Sequence, residues 1–319
     1  MKKVAVVALI ALFAAPVARA GDWKSEHPFS PFVQDLTNRG EPPRLGPHYT
    51  REEHGLRQAT ASRTLRIRSP LMNYNGGKIM PTVVSKAIFW GPKWANATFV
   101  GDKITGLNAW YAAHNNSNYA KTVNEYTGTN GTVGSTTLVH QGHIVDTSTA
   151  AGGGSTSAIL AEVCKQVTAG NISPDPSGNG YYPVYSDVPR GNSGYCAWHS
   201  SGSCGGKQLQ FAFFFNLDGD SACDPVDTVT GHSQGLAALA NVTAHEIEEA
   251  RSDPASPGAW YDSYGAENAD KCGWTYNVPY VSFPDGSKWK LQGEWSNAAY
   301  TAGKGYPNSS GQRGCIDGH

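Results

Sequence analysis

Two stretches of this 319-residue chain are apolar almost without a break, residues 83–90 (VVSKAIFW) and 209–217 (LQFAFFFNL). Short runs rich in β-branched and aromatic residues predict strands buried on both faces. The second run, with three consecutive phenylalanines, reads as central to its sheet. Shorter runs at 136–145 and 181–188 predict two more strands. Helical spacing appears in three places: 103–113, carrying Ile104, Leu107 and Tyr111; 156–168; and 234–251. In the last, Ala, Leu and Glu dominate, Ser233 stands at the N-cap position, and Asp253-Pro254 stops the run. The Gly- and Ser-rich stretch 191–206 reads as a loop. Strands interleaved with helices predict an α/β (or α+β) fold, with a mixed central sheet, a few helices and long Gly/Ser-rich loops.

The ends of the chain depart from this pattern. Lys2-Lys3, the apolar run 4–17 and Ala18-Arg19-Ala20 have the order of a secretory signal with its cleavage site, so residues 1–20 read as a signal peptide. Residues 21–68, with Glu41-Pro42-Pro43, Gly46-Pro47 and mixed charge, read as a flexible N-terminal arm or pro-segment. Residues 69–319 then form one globular domain. Beyond the signal no stretch is long and apolar enough to span a bilayer, so no membrane anchor is expected after its removal.

Removing the signal leaves 22 basic against 26 acidic residues, a net charge of −4. Lysines and arginines are scattered, which excludes a nucleic-acid footprint. Six cysteines lie in the exported part: Cys164, Cys196, Cys204, Cys223, Cys272 and Cys315. An even count in an exported chain predicts three disulfides and a secreted, extracellular, periplasmic or cell-wall location.

The chemistry concentrates on the third helix. Residues 245–249 read HEIEE, and His245 and Glu249, four apart, project from one helical face. Leu236, Leu239, Thr243, Ile247 and Ala250 occupy the opposite face. The pattern is HExxE, one letter from the HExxH of zinc hydrolases, where two histidines hold the metal and the glutamate activates water. A carboxylate in place of the second histidine still serves as a ligand. The candidate metal ligands are His245, Glu249, Glu267, Asp270 and His199, with zinc or another divalent ion as the cofactor and Glu246 as the catalytic base. His140 and His143, three apart on a strand, are expected to face opposite sides and not to share a metal. Gly231-His232-Ser233-Gln234-Gly235 matches G-x-S-x-G, a second and weaker candidate for a serine esterase; the histidine such a site needs is lacking downstream, apart from His245 and His319.

From Leu71 to Cys315 the chain resembles the EXORDIUM-like, phosphate-induced family of secreted proteins. The resemblance rests on an ordered set: Tyr74-Asn75-Gly76-Gly77, Phe89-Trp90-Gly91, Cys196-Ala197-Trp198-His199, the HEIEE helix, Asp253-Pro254, Ala259-Trp260-Tyr261 and Glu267-Asn268-Ala269-Asp270-Lys271-Cys272. It implies an extracellular or cell-wall protein and implies no particular reaction. Three functions remain open: a zinc-dependent hydrolase of the metallopeptidase kind; a non-catalytic extracellular protein with a structural His/Glu cluster; and the serine esterase. The expected partner is an extracellular substrate, peptide or cell-wall polysaccharide. The expected disulfides are Cys272–Cys315, Cys196–Cys204 as a local pair, and Cys164–Cys223.

Overall fold

In this computed structural model, which describes residues 41–64 and 69–319, six strands form the central sheet. They are β1 (Leu45–Tyr49), β2 (Val83–Trp90), β3 (Leu138–Asp146), β4 (Gly180–Pro189), β5 (Tyr195–Cys204) and β6 (Lys207–Asn216). Their spatial order is β1-β5-β6-β4-β2-β3. β6, β4, β2 and β3 run parallel, while β5 and β1 are antiparallel additions at one side. The fold is therefore mixed α/β, as expected. The signal segment and residues 21–40 of the expected arm lie outside the described residues.

Alternation along β6 builds the two core layers. Phe214 stacks on Tyr185 with centroids 4.6 Å apart, and the Tyr185 hydroxyl lies 2.8 Å from Thr243 Oγ1 in helix α4 (Gln234–Ser252). Phe213 points the other way, stacking on Trp198 at 5.5 Å and closing on Gly153, just before helix α3 (Thr156–Thr168). Helix α2 (Lys103–His114) crosses α4 at Gly106, where a Cβ would come within 2.3 Å of the Leu236 side chain. So α2 and α4 cover one face of the sheet and α3 the other. The predicted helices and the strands flanking them stand within a few residues of their expected bounds.

Two expectations fail here. Residues 191–206 are not a loop: most of them form β5, joined to β6 by a two-residue turn at Gly205-Gly206. Both glycines have positive φ, 57° and 80°, which the mirror-image hairpin turn requires. And residues 45–49 are no flexible arm: they form the edge strand β1, followed by helix α1 (Arg51–Thr64).

After α4 the chain folds back over it. A short helix α5 (Asn268–Lys271) is followed by β7 (Glu294–Trp295), β8 (Tyr306–Pro307) and β9 (Arg313–Ile316), paired in the order β7-β9-β8. The three disulfides are Cys164–Cys204, Cys196–Cys223 and Cys272–Cys315. Cys272–Cys315 is as expected; the other two correct the expected pairs. Cys196 and Cys204 sit on the same extended strand, so about 26 Å of chain separates them, against the roughly 7 Å limit between bridged Cα atoms. Three disulfides fit an oxidising, extracytoplasmic setting. Among the described residues no helix is long and apolar enough to cross a membrane.

Peptide mapping without reduction should return these three pairs. The double variant Cys272→Ser/Cys315→Ser should lose about 2–4 kcal/mol of stability, because the bridge closes a loop of more than forty residues; denaturant unfolding measures it.

Candidate metal centre

Helix α4 is buried all round, from Gly235 to Ser252. Ser233 caps its start, its hydroxyl oxygen accepting from Leu236 N at 3.1 Å. His245, Glu246, Glu248, Glu249 and Arg251 are thereby taken out of water, and each needs a partner inside the protein. They divide into two clusters.

In the first cluster almost every group is matched. Glu248 lies 2.6 Å from His114 Nε2 and pairs with Arg251. The Arg251 guanidinium also donates to the carbonyls of Ala120 (2.9 Å) and Gly134 (2.7 Å). Nearby, Glu294 accepts from the Tyr119 hydroxyl at 2.8 Å and from Asn268 Nδ2 at 2.7 Å. Matched in this way, these charges hold α4 to α2 and to the tail.

The second cluster is not matched. One turn of α4 presents His245, Glu246 and Glu249; β5 turns His199 towards the same point; α5 and the residue before it bring Asp270 and Glu267. His245 Nε2 lies 3.2 Å from Glu249 Oε1 and 3.8 Å from Asp270 Oδ1. His199 Nε2 lies 3.3 Å from Glu267 Oε2 and 3.9 Å from Glu249 Oε2. Yet none of these approaches has hydrogen-bond geometry. Both nitrogens of His199, both oxygens of Glu267, and one atom each of His245, Glu246, Glu249, Asp253 and Asp270 are buried without a hydrogen-bond partner. Potential ligand atoms of His199, Glu246 and Glu249 lie within 4.8 Å of one another, as do those of His245, Glu249 and Asp270. All six sequence candidates are therefore brought together, and Glu249 belongs to both triplets.

Electrostatics sharpens the point. Burial is the main cause that holds the Glu249 carboxyl well above the usual range. Burial, then neighbouring carboxylates, does the same for Glu246, Asp253, Glu267 and Asp270. Burial, and next His245, pushes His199 down to about 3, and burial likewise depresses His245. Five carboxyl groups this close cannot all carry charge in a dry site unless a cation shares it. Orphaned oxygens around neutral imidazoles are a donor set that suits a divalent ion, and these groups could hold one.

His245 is set by Gln292. The Gln292 oxygen accepts from Trp274 N at 3.2 Å and its nitrogen donates to Ala269 O at 3.2 Å, which fixes the amide with its nitrogen 2.8 Å from His245 Nδ1. A neutral ring that accepts at Nδ1 carries its proton at Nε2, on the side of Glu249 but without hydrogen-bond geometry to it. His199, with both ring nitrogens unpartnered, is the readier nitrogen ligand of the two; ligation by His245 requires its proton to move to Nδ1 and the Gln292 amide to turn.

Three contributors escape a reading of the sequence. Asp253, read only as the helix stop, places its carboxylate beside the cluster while Oδ1 accepts from Ala259 N at 2.5 Å. His48 of β1 stacks flat on His245, with centroids 4.2 Å apart and planes 3° apart, and its backbone N–H donates to Glu246 Oε1 at 3.2 Å. Gly46, at φ +40°, lies so close that a Cβ would sit 1.9 Å from Glu249 Oε2. Asp253 could have been found from its place one turn after Glu249; nothing local marks His48 or Gly46.

Two other candidates resolve differently. A bulge around Gly142 (φ +77°) brings His140 and His143 to one face, where both meet Asn108 (2.9 and 3.0 Å), so the expectation that they face opposite sides is corrected. His140 also bonds Ser85 Oγ at 2.9 Å, and the set is satisfied without a metal. Ser233 donates to Asp102 Oδ1 at 2.5 Å besides capping α4, and no histidine is among its partners.

Protein purified without chelators should carry a divalent ion that is lost in His199→Ala and Glu249→Ala. With metal at about a hundred times its Kd, the wild type should gain about 2.7 kcal/mol of stability over the chelated form. Glu267→Gln should stabilise the chelated form and raise its melting temperature, because a neutral amide relieves the crowding of acids. Metal analysis and calorimetry with and without chelator read both effects.

Comparisons with protein-family models, with curated proteins and with solved structures find nothing that matches this chain, so the functional reading rests on the geometry of this cluster.

Proposed function

We propose that this chain is a secreted, metal-dependent hydrolase of the peptidase kind within the EXORDIUM-like family. In this reading zinc or another divalent ion is held by His199, Glu249 and Glu267, with His245 and Asp270 beside them. The observation that carries the reading is the second cluster: two imidazoles and five carboxyl groups, buried and largely unpartnered, around an HExxE helix turn. When bound, the ion supplies Lewis acidity and lowers the pKa of a coordinated water. Glu246 is the chain's own proton carrier. Its Oε1 is steadied by the His48 N–H and its Oε2 is free of hydrogen bonds, so it can take a proton from water and pass it to the leaving nitrogen as the C–N bond breaks. The Asp270 N–H, which donates to Glu249 Oε1 at 2.9 Å, keeps that ligand oriented, and Gln292 holds the His245 ring beside it.

A peptide suits the site better than a polysaccharide. Among the described residues no tryptophan beside the cluster is exposed, whereas β1 already lays an extended backbone against it. The esterase reading has no support, since Ser233 is a helix cap.

One observation favours a second reading. His199, Glu246, Glu249 and Glu267 are each at 0% exposure, and closed metal sites are structural. The experiment that separates the two uses the native chain and a Gly46→Val chain, whose added side chain would push β1 off the cluster. Hydrolysis of fluorescein-labelled casein should fall at least a hundredfold in Glu246→Gln while the metal is retained. His245→Ala should weaken both. A structural site would instead show changes in melting temperature and no casein hydrolysis in either background.

A further inference from the structure

We infer that the edge of β5 beside the His199–Glu249 cluster is a binding groove for an extended polypeptide, filled here by the chain's own residues 44–49. The inference rests on the hydrolase reading above and names its substrate class.

The first argument is topological. β1 meets the sheet only along β5, antiparallel, pairing Leu45 with His199, His48 with Ala197 and Tyr49 with Tyr195. The register shifts twice within those five residues, whereas β5 pairs with β6 through eight consecutive positions without a shift. With β1 lifted away, β5 is an edge strand whose free N–H and C=O groups form a template for an incoming strand.

The second argument is chemical. A peptide about to be hydrolysed must lay its backbone directly against the catalytic groups. β1 does this at Gly46, where no side chain fits between the backbone and Glu249 or His199; a Cβ there would also lie 2.7 Å from His199 Nε2. Two residues on, the His48 backbone N–H bonds Glu246, and its ring lies on His245 with Trp274 at 4.7 Å on a tilted face. Main chain recognised by main chain and by carboxylate, a residue without a side chain at the cluster, then a flat ring two positions later: these define a ligand class, an extended peptide of the form Gly-x-aromatic or Gly-x-His. The His48 ring nitrogens themselves have no hydrogen-bond partner, so flatness and not hydrogen bonding is what the pocket reads at that position.

The test uses the full chain and a fluorescein-labelled peptide of residues 43–50, PRLGPHYT. Wild type should bind it weakly, because its own strand competes intramolecularly. Gly46→Val, and the milder His48→Ala, which leaves the backbone intact, should bind it at least tenfold more tightly. The same peptide carrying Gly46→Val should lose that gain, since its side chain meets Glu249. Hydrogen exchange on the wild type needs no substitution: the amides of Leu45, Gly46, His48 and Tyr49 should exchange at least tenfold faster than those joining β5 to β6. Folded, metal-bearing variants that bind both peptides alike, or neither better than wild type does, overturn the groove, as does equal protection of the two pairings. Tight binding without cleavage leaves the groove standing and sinks the hydrolase.

Discussion

The interaction on which the rest of the molecule depends is the burial of α4 on every side. A helix with an apolar face would ask only for a sheet beneath it. This one carries His245, Glu246, Glu248, Glu249 and Arg251 in its last two turns, all at 1% exposure or less. Removing such groups from water costs several kcal/mol per ion unless partners are supplied. The sheet supplies one side and α2 another. The long C-terminal tail exists, in physical terms, to supply the remainder: Asn268, Asp270, Gln292 and Glu294 all reach α4 or the groups around it.

The two sides of the helix meet that demand in different ways, and the contrast locates the chemistry. Around Glu248, acid meets base: His114 and Arg251 face it, and the carbonyls of Ala120 and Gly134 accept from the second guanidinium nitrogen. Such a network rigidifies and leaves little to react. Around Glu249, acid meets acid. Glu246, Asp253, Glu267 and Asp270 crowd it, and among the described residues no lysine or arginine is a hydrogen-bonded partner of any of the five. Buried like charges without a counter-charge are not tolerated for packing alone, which is why this side and not the other reads as a site.

Much of this was legible in the sequence, and the parts that were not share a cause. The HExxE helix was visible because its spacing, cap and stop are local, and a four-residue interval fixes two side chains on one face. Glu267, Asp270 and His199 came from their order along the chain and from the family resemblance. What failed depended on partners distant in sequence. β5 looked like a loop because its glycines and serines outweigh its Tyr195, Trp198 and alternation, although Gly205-Gly206 was a hairpin signal in plain view. The cysteine pairs were misread for the same reason: once 195–204 is a strand, Cys196 and Cys204 are too far apart to bond. Residues 45–49 resemble disordered sequence, since Leu45 and Tyr49 at the two ends of a Gly-Pro-containing run make a short hydrophobic pattern, and the groups that bury them are distant in sequence.

The disulfides bear on which covering element can move. His199 lies on β5 between Cys196 and Cys204, each bonded to a different part of the chain. Glu267 and Asp270 lie just before Cys272, tied to Cys315 in the tail. Glu246 and Glu249 are held by the burial of α4. Every element that supplies a candidate ligand is therefore fixed by a covalent bridge or by the core. β1 has no covalent bridge: residues 41–64 contain no cysteine, and the strand, though Leu45 and Tyr49 are buried, pairs along one edge with two breaks in register. A closed cluster keeps its donors dry and strengthens their hold on an ion, but chemistry requires water and substrate to enter. Those demands are compatible only if the frame is more rigid than its cover, and that is how the cross-links are distributed: the ligands are clamped covalently or by the core helix, and the strand lying over them is held without a cross-link, by pairing, by the His48 stack, by the burial of Leu45 and Tyr49, and by the hydrogen bonds from His48 N–H to Glu246 and from Trp274 Nε1–H to the Tyr49 carbonyl.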